Sequence, residues 1–101
     1  MASSDKGAAR AVMRLSPPDN VAVALRHLKA GETVMLDDVP LKVNRSIAVG
    51  HKLAATAIAK GEIILKYSCP IGTATQAIAP GEHVHTHNVE SNYLPTYTLP
   101  A

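Results

Sequence analysis

The sequence predicts a small, mainly β domain with one or two short helices, and three observations support this. The chain has 101 residues, enough for one domain, and its 47% hydrophobic and 18% charged residues are typical of a folded core. It contains no Phe or Trp, so the core must be aliphatic. Short alternating apolar runs recur about every 8–12 residues with Gly or Pro turns between them, a spacing typical of all-β folds.

A proline-rich break divides the chain. Residues 1–18 are rich in Ala, Ser and Arg and end at Ser16-Pro17-Pro18, so we expect a flexible N-terminal extension there. Residues 19–90 contain the alternating runs and are predicted to form the domain itself. Residues 91–101 are assigned to a C-terminal tail.

Charge and composition exclude several classes of function. The net charge of +2 lies in the first 14 residues, so no basic face for DNA or RNA phosphates is expected. The three tyrosines are too few to stack on bases, and the single cysteine excludes an internal disulfide. No apolar run reaches the roughly 18 residues of a membrane span, and the first residues lack a signal-peptide pattern. We therefore expect a cytoplasmic protein with no membrane or nucleic-acid partner.

Short strands are predicted wherever apolar and polar residues alternate. Val21–Leu25 has this pattern and β-branched residues, although Val23–Leu28 would also fit one helical turn. The same alternation marks three later runs, Val39–Val43, Ile63–Tyr67 and Val84–Val89. Asp37-Asp38 comes before the first of these and marks a hairpin or a bend.

A turn motif occurs three times and consists of an apolar residue, two variable residues and Gly-Glu. Its copies are Leu28–Glu32, Ile58–Glu62 and Ile78–Glu82. The glycine is expected to adopt a positive φ in a tight turn, after which the chain continues as a strand. The copies lie 30 and then 20 residues apart, which excludes a solenoid of fixed period. We therefore predict one β domain that uses the same turn three times.

The best helix candidate is Gly50–Ala59, whose apolar residues fall on one helical stripe. Its start, Gly50-His51-Lys52, would present backbone N–H groups and an ammonium to an anion such as a carboxylate. The imidazole of His51 suits proton transfer, and Lys52 could hold an oxyanion. The alternative is an ordinary exposed His-Lys pair.

The second group with possible chemistry is His83, His85 and His87, which alternate with Val84 and Thr86. On a strand the three imidazoles point to one face, with residues i and i+2 about 7 Å apart. Two of them could bind one metal ion, but all three could do so only if the strand bends. A site with two histidines is incomplete, so other ligands would come from elsewhere. The alternative is a hydrogen-bonded polar strand face.

In this order, the motifs resemble the SAF-type domain at the N-terminus of the altronate/galactarate dehydratase family. The resemblance runs from about Asp19 to Asn88. It rests on six runs in the same order: Asp19–Ala24, Gly50–Ala54, Ile58–Glu62, Lys66-Tyr67, Ile71-Gly72 with Ala74, and Gly81–Asn88, the last reading Gly-Glu-His-Val-His-Thr-His-Asn. The chain departs from the family at Ser68, where a Lys-Tyr-Gly run is usual. The resemblance implies the small β-clip fold of SAF domains.

The resemblance also implies a function. Family members carry this domain fused to a large catalytic domain or as a separate small subunit, and they eliminate water from 2-hydroxy acids with a divalent metal, commonly iron(II). We therefore expect the small subunit of a hydro-lyase for a sugar acid, with a large catalytic subunit as partner and the metal held mainly by that partner. The alternatives are the small subunit of a sulfolactate sulfo-lyase, whose motifs are similar, and a non-catalytic SAF-type module that binds a small anion.

On this resemblance each motif residue has an expected role. His51 and Lys52 are expected to be catalytic, and Gly50 and Asn88 to bind the substrate. His85 and His87 are expected to face the metal. A 2-hydroxy acid needs its anion site and its metal within reach of one molecule, so His51 is expected within roughly 10–15 Å of His85 or His87.

Overall fold

A computed structural model describes residues 10–91, and in this part of the chain nine short strands form three antiparallel sheets. The strands are β1 (Val12–Met13), β2 (Val21–Ala24), β3 (Thr33–Leu36), β4 (Val39–Lys42), β5 (Lys52–Ala54), β6 (Ile63–Lys66), β7 (Cys69–Ala74), β8 (His83–Val84) and β9 (Val89–Ser91). The mainly β fold class is confirmed. The helix predicted over Gly50–Ala59 is wrong, because β5 and a turn occupy that segment. No helix long and apolar enough to cross a membrane occurs in residues 10–91.

The three sheets place the predicted functional strands side by side. The four-stranded sheet has the order β1-β2-β5-β8, the second sheet is the β3–β4 hairpin, and the third has the order β6-β7-β9. In the first sheet Lys52 pairs with Val84 and Leu53 with His83. The strand that follows His51 therefore runs next to the strand that begins with His83.

The two hairpins close on the same type of turn. Asp37 and Asp38 join β3 to β4 with φ values of 50° and 67°, and Tyr67 and Ser68 join β6 to β7 with 58° and 62°. Two successive left-handed residues match the right-handed twist of paired strands, which is why such turns close two-residue hairpins. Of the hairpin or bend predicted at Asp37-Asp38, the structure shows the hairpin.

The repeated glycine turn occurs four times in the described residues rather than three. Its glycines, Gly31, Gly50, Gly61 and Gly81, have φ values of 85–89°, so the three predicted turns are confirmed. The fourth copy is Ile47-Ala48-Val49-Gly50-His51, in which His51 replaces Glu and its N–H donates to the carbonyl of Ala48 at 3.0 Å. The predicted helix fails because its first residues form this turn.

Residues 24–51 and 54–82 are two copies of one structural unit. In each unit the first residues of the two turns are paired by backbone hydrogen bonds, as in an antiparallel sheet. These pairs are Leu28 with Ile47 in the first copy and Ile58 with Ile78 in the second. Each also encloses one hairpin, β3–β4 or β6–β7. We call them the first unit and the second unit.

Two aliphatic clusters form the core, one around each unit, and Leu53 and Val84 of the four-stranded sheet join them. The largest fully buried side chains of the first cluster are Leu28, Leu41, Ile47 and Leu53, and those of the second are Ile58, Ile64, Ile78 and Val84. Full burial of one such side chain stabilises a fold by about 1.5–3 kcal/mol relative to exposure. The aliphatic core predicted from composition is confirmed in the described residues.

Two buried polar residues before β2 hold the hairpin of the second unit. The carboxylate of Asp19 accepts hydrogen bonds from the N–H groups of Tyr67 and Ser68 at 2.8 and 2.7 Å. Asn20 accepts from the N–H of Leu65 and donates to the carbonyl of Ile63, both at 2.8 Å. The start of the predicted domain therefore fixes the backbone on both sides of Lys66.

At two places a strand of the structure extends past a predicted domain boundary. Val12 and Met13 lie in the predicted extension of residues 1–18, yet they form β1 and pair with Ala24 and Val23 of β2. Ser91, assigned to the tail of residues 91–101, is the last residue of β9. The rest of the tail and residues 1–9 lie outside the described residues.

Candidate functional site

The chain bends sharply within the histidine motif. Strand β8 ends at Val84, and residues 85–88 form a turn before β9, so the continuous strand predicted over Val84–Val89 is wrong in its middle. Asn88 holds this turn: its side chain accepts from the N–H of His85 at 2.9 Å and donates to the carbonyl of His83 at 2.8 Å. Asn88 is fully buried, so these bonds form away from water and fix the turn firmly.

The bend gathers imidazoles that a flat strand would keep apart. The ring centres of His51 and His83 are 5.4 Å apart, those of His51 and His85 5.4 Å, and those of His83 and His85 5.5 Å. One ring nitrogen from each of the three lies within 4.8 Å of the others. We call these three residues the histidine cluster. His87 lies beside it, with its ring 5.6 Å from that of His83.

His51 reaches the cluster because its turn differs from the other three. In those turns the glutamate after the glycine accepts the N–H of the residue three positions earlier, at 2.8–2.9 Å: Glu32 from Lys29, Glu62 from Ala59 and Glu82 from Ala79. His51 takes the place of this glutamate, and its Nδ1 lies 3.2 Å from Nε2 of His83 instead. A turn residue with a structural role in three copies is thus replaced by a metal-ligating type in the fourth.

The pKa of His83 differs from that of an exposed histidine. Burial, together with the nearby His51 and His85, lowers its pKa to about 4. The ring is therefore neutral at pH 7, the form that binds metals. Its Nδ1 is buried and has no hydrogen-bond partner among the described residues.

One spacing within the cluster matches that of two nitrogen ligands on one divalent metal ion. Two nitrogen ligands about 2.1 Å from one ion lie about 3.0–3.4 Å apart, and the nitrogens of His51 and His83 are 3.2 Å apart. Imidazole ligands suit iron, zinc, copper and nickel. The group found in residues 10–91 contributes three histidines and no carboxylate.

A pocket next to the cluster is lined by two lysines. It encloses about 380 Å³, and its wall includes Lys52, Lys66 and His85. Both lysines are half-buried. Burial lowers the pKa of Lys52, and the positive charge of Lys66 lowers it further. A pocket with these properties favours an anion.

The structure brings together most of the residues singled out in the sequence. His51, Lys52 and His85 share one surface with His87 beside them, and the ring centres of His51 and His85 lie well inside the expected distance. Gly50 forms the turn before His51, and Asn88 is buried behind the histidines. The chemical roles assigned to these six residues stay predictions.

Two residues of the site were missed. His83 lies in the histidine motif, but the resemblance assigned the metal to His85 and His87 and gave His83 no role. The signal lay in Asn88, a residue type that often hydrogen-bonds nearby backbone and favours turns. Lys66 belongs to the Lys66-Tyr67 run of the resemblance but was given no role, since only the packing of two sheets brings it near Lys52.

Comparison with known proteins gives matches along most of the chain. A family model described as the altronate/galactarate dehydratase SAF domain matches residues 10–92. An altronate dehydratase of Escherichia coli K12 is 49% identical over 74 residues, which are 73% of this chain and 15% of that protein. An altronate dehydratase of Bacillus subtilis 168 is 39% identical over 83 residues, 82% of this chain and 17% of that one.

A separate subunit is also similar. The alpha subunit of a (2R)-sulfolactate sulfo-lyase from Chromohalobacter salexigens is 48% identical over 50 residues, which are 50% of this chain and 53% of that subunit. The chain thus spans about one-sixth of the altronate dehydratases it matches and about half of this subunit.

Proposed function

Because the chain belongs to the altronate/galactarate dehydratase SAF domain family, we propose that it is the small subunit of a metal-dependent hydro-lyase for a sugar acid. It would close over the active site of a separate large subunit. The observation that carries this proposal is the histidine cluster beside the lysine pocket, because an elimination from a hydroxy acid needs a metal site and an anion site on one surface.

The histidine cluster would hold the divalent metal, with iron(II) as the expected ion and the remaining ligands supplied by the large subunit. The closeness of one ring nitrogen from each of the three histidines, with Nδ1 of His51 3.2 Å from Nε2 of His83, supports this assignment. A metal bound there would act as a Lewis acid toward the hydroxyl that leaves.

The other residues would handle the acid and its proton. Lys52 would bind the carboxylate, and its positive charge would stabilise the negative charge that develops when the α-proton is removed. A neutral imidazole would accept that proton, and the departing hydroxyl would take up a proton to leave as water. These steps remove one water from the acid and leave its carboxylate intact.

Two assignments of the imidazoles compete. The sequence gives proton transfer to His51 and metal binding to His85 with His87. The spacing of the rings favours His51, His83 and His85 as ligands, which leaves the exposed His87 free to move a proton. His51→Ala and His87→Ala distinguish the two, because only the loss of a ligand should lower the metal content after dialysis against a chelator.

A chimeric enzyme tests the proposed function. Residues 10–91 of this chain would replace the matching segment of the E. coli altronate dehydratase, which is 49% identical. We expect the chimera to dehydrate altronate. A folded chimera that binds metal but does not turn over altronate would contradict the proposal.

The sulfo-lyase alternative has its own support, because the alpha subunit of the Chromohalobacter salexigens sulfo-lyase is 48% identical over 50 residues of this chain. Its reaction would use the same surface with sulfite as the leaving group. A parallel chimera with the sulfo-lyase subunit, assayed with sulfolactate, separates the two candidates. A non-catalytic anion module would leave both chimeras inactive.

A further inference from the structure

We propose that Lys66 and Lys52 together form an oxyanion subsite that takes the carboxylate or sulfonate of the substrate acid. This inference rests on the proposed function and names the part of the acid that the chain recognises. The subsite is the pocket of about 380 Å³ whose wall also includes His85. Through His85 it adjoins the histidine cluster.

The two lysines come from different parts of the fold. Lys52 begins β5 of the four-stranded sheet, and Lys66 ends β6 of the three-stranded sheet. Two like charges on one pocket repel each other, and half-burial removes part of the water that would offset this repulsion. Neither lysine has an ion pair with an acid in residues 10–91, where the ion pairs are Arg14 with Asp37 and Arg26 with Glu32. A bound anion would supply the missing negative charge.

Lys66 stands on a backbone that is held from both sides. Asn20 binds the backbone of Leu65, and Asp19 binds the backbone of Tyr67 and Ser68. Asp19 and Asn20 are only 4% and 8% exposed. A lysine that served only solubility would need no such support, whereas a binding residue gains affinity when its backbone is fixed in advance.

The shape of the pocket fits a small acid. Its volume is at the lower end of the roughly 300–1,000 Å³ typical of ligand pockets. Two ammonium groups can each donate to a separate oxygen of one carboxylate or sulfonate. Ile71 and Val89 form an apolar part of the wall. They exclude water, which strengthens the attraction between the lysine ammonium groups and a bound anion. With the oxyanion held there, the hydroxyl-bearing carbons of the acid would extend toward His85.

Binding of small probes to the full chain tests the subsite without any turnover. Amide chemical shifts would be followed by NMR during titration with gluconate, with isethionate and with uncharged sorbitol. We expect gluconate, isethionate or both to shift the amides of Lys52, Lys66 and His85, and sorbitol to leave them unchanged. A response to gluconate alone identifies a carboxylate site, and one to isethionate alone a sulfonate site.

Matched variants identify the lysine responsible. Lys66→Met should raise the dissociation constant of the responding probe roughly tenfold, as expected for the loss of one charge-assisted hydrogen bond. Lys60→Met is the control, because Lys60 is exposed and lies on the turn before β6, away from the pocket wall. The spectrum outside the pocket shows whether each variant is folded.

Two results would overturn the subsite: no shift of the pocket amides with either anion, or equal weakening by Lys66→Met and Lys60→Met. Failure of the proposed function looks different. An inactive chimera together with Lys66-dependent anion binding ends the hydro-lyase proposal and leaves the subsite intact. An active chimera whose KM for altronate is unchanged by Lys66→Met ends the subsite alone.

Discussion

Replacing Gly81 by Ala should destabilise the protein more than replacing Gly61 by Ala, although the two glycines occupy equivalent turns. Their φ values are 85° and 89°. A Cβ at Gly61 would meet no atom within 4 Å. A Cβ at Gly81 would lie 3.0 Å from the carbonyl carbon of Lys42 and nearer still to its oxygen. Backbone of β4 in the first unit therefore touches the turn of the second unit.

The structure gives a magnitude for each variant. Both place a side chain in the left-handed region, which costs about 1–2 kcal/mol. Only Gly81→Ala must also displace the backbone of β4, and overpacking of this kind adds about 1–3 kcal/mol. We therefore expect the free energy of unfolding to fall by about 1–2 kcal/mol for Gly61→Ala and by about 2–5 kcal/mol for Gly81→Ala.

Urea unfolding of the full chain, followed by circular dichroism, measures both values. The midpoint urea concentration should decrease for both variants and decrease further for Gly81→Ala, with the slope unchanged. Equal destabilisation by the two substitutions would refute the close contact between the units.

Three further predictions follow from the turns and the histidines. Asn88→Ala should lower the free energy of unfolding by about 2–4 kcal/mol in urea unfolding, because two buried backbone groups lose their partner, whereas the exposed Asn44→Ala should change it little. Asp38→Gly should stabilise the β3–β4 hairpin by about 0.5–1 kcal/mol, since Asp38 has a φ of 67°, and an unchanged midpoint would contradict this. His83 should titrate with a pKa of about 4 in an NMR pH series, and stability should fall as the pH drops from 6.5 toward 4, because only the unfolded chain takes up this proton there. A His83 pKa near 6.5 would contradict the burial argument.

Local sequence patterns predicted the strands and turns well where a single local feature, such as apolar alternation or a glycine with positive φ, determined the backbone. Val21–Leu25 and Ile63–Tyr67 alternate, and they became β2 and β6. The glycine turns were predictable because a positive φ favours Gly over every other residue. The helix prediction failed because Leu53 and Ala54 are both buried in a strand that lies between β2 and β8, so its apolar residues do not alternate. The replacement of Glu by His51 also hid the fourth turn.

The candidate site was only partly predictable. The motifs identified His51, Lys52 and His85, and the resemblance to a known family placed them on one surface. The clustering of His83 with them depends on a turn that the buried side chain of Asn88 holds together. The role proposed for Lys66 depends on two sheets meeting at one pocket, which no short motif encodes.

The central claim is that this chain supplies metal-site histidines to a hydro-lyase, and His85 is a proposed ligand in both assignments of the imidazoles. The direct measurement is kcat for altronate of the chimera that carries His85→Ala, compared with the chimera that carries His27→Ala. His27 is exposed and hydrogen-bonds Ser46, outside the cluster. We predict a loss of roughly 100-fold or more for His85→Ala and near-normal turnover for His27→Ala. Equal turnover of the two folded variants would contradict the claim.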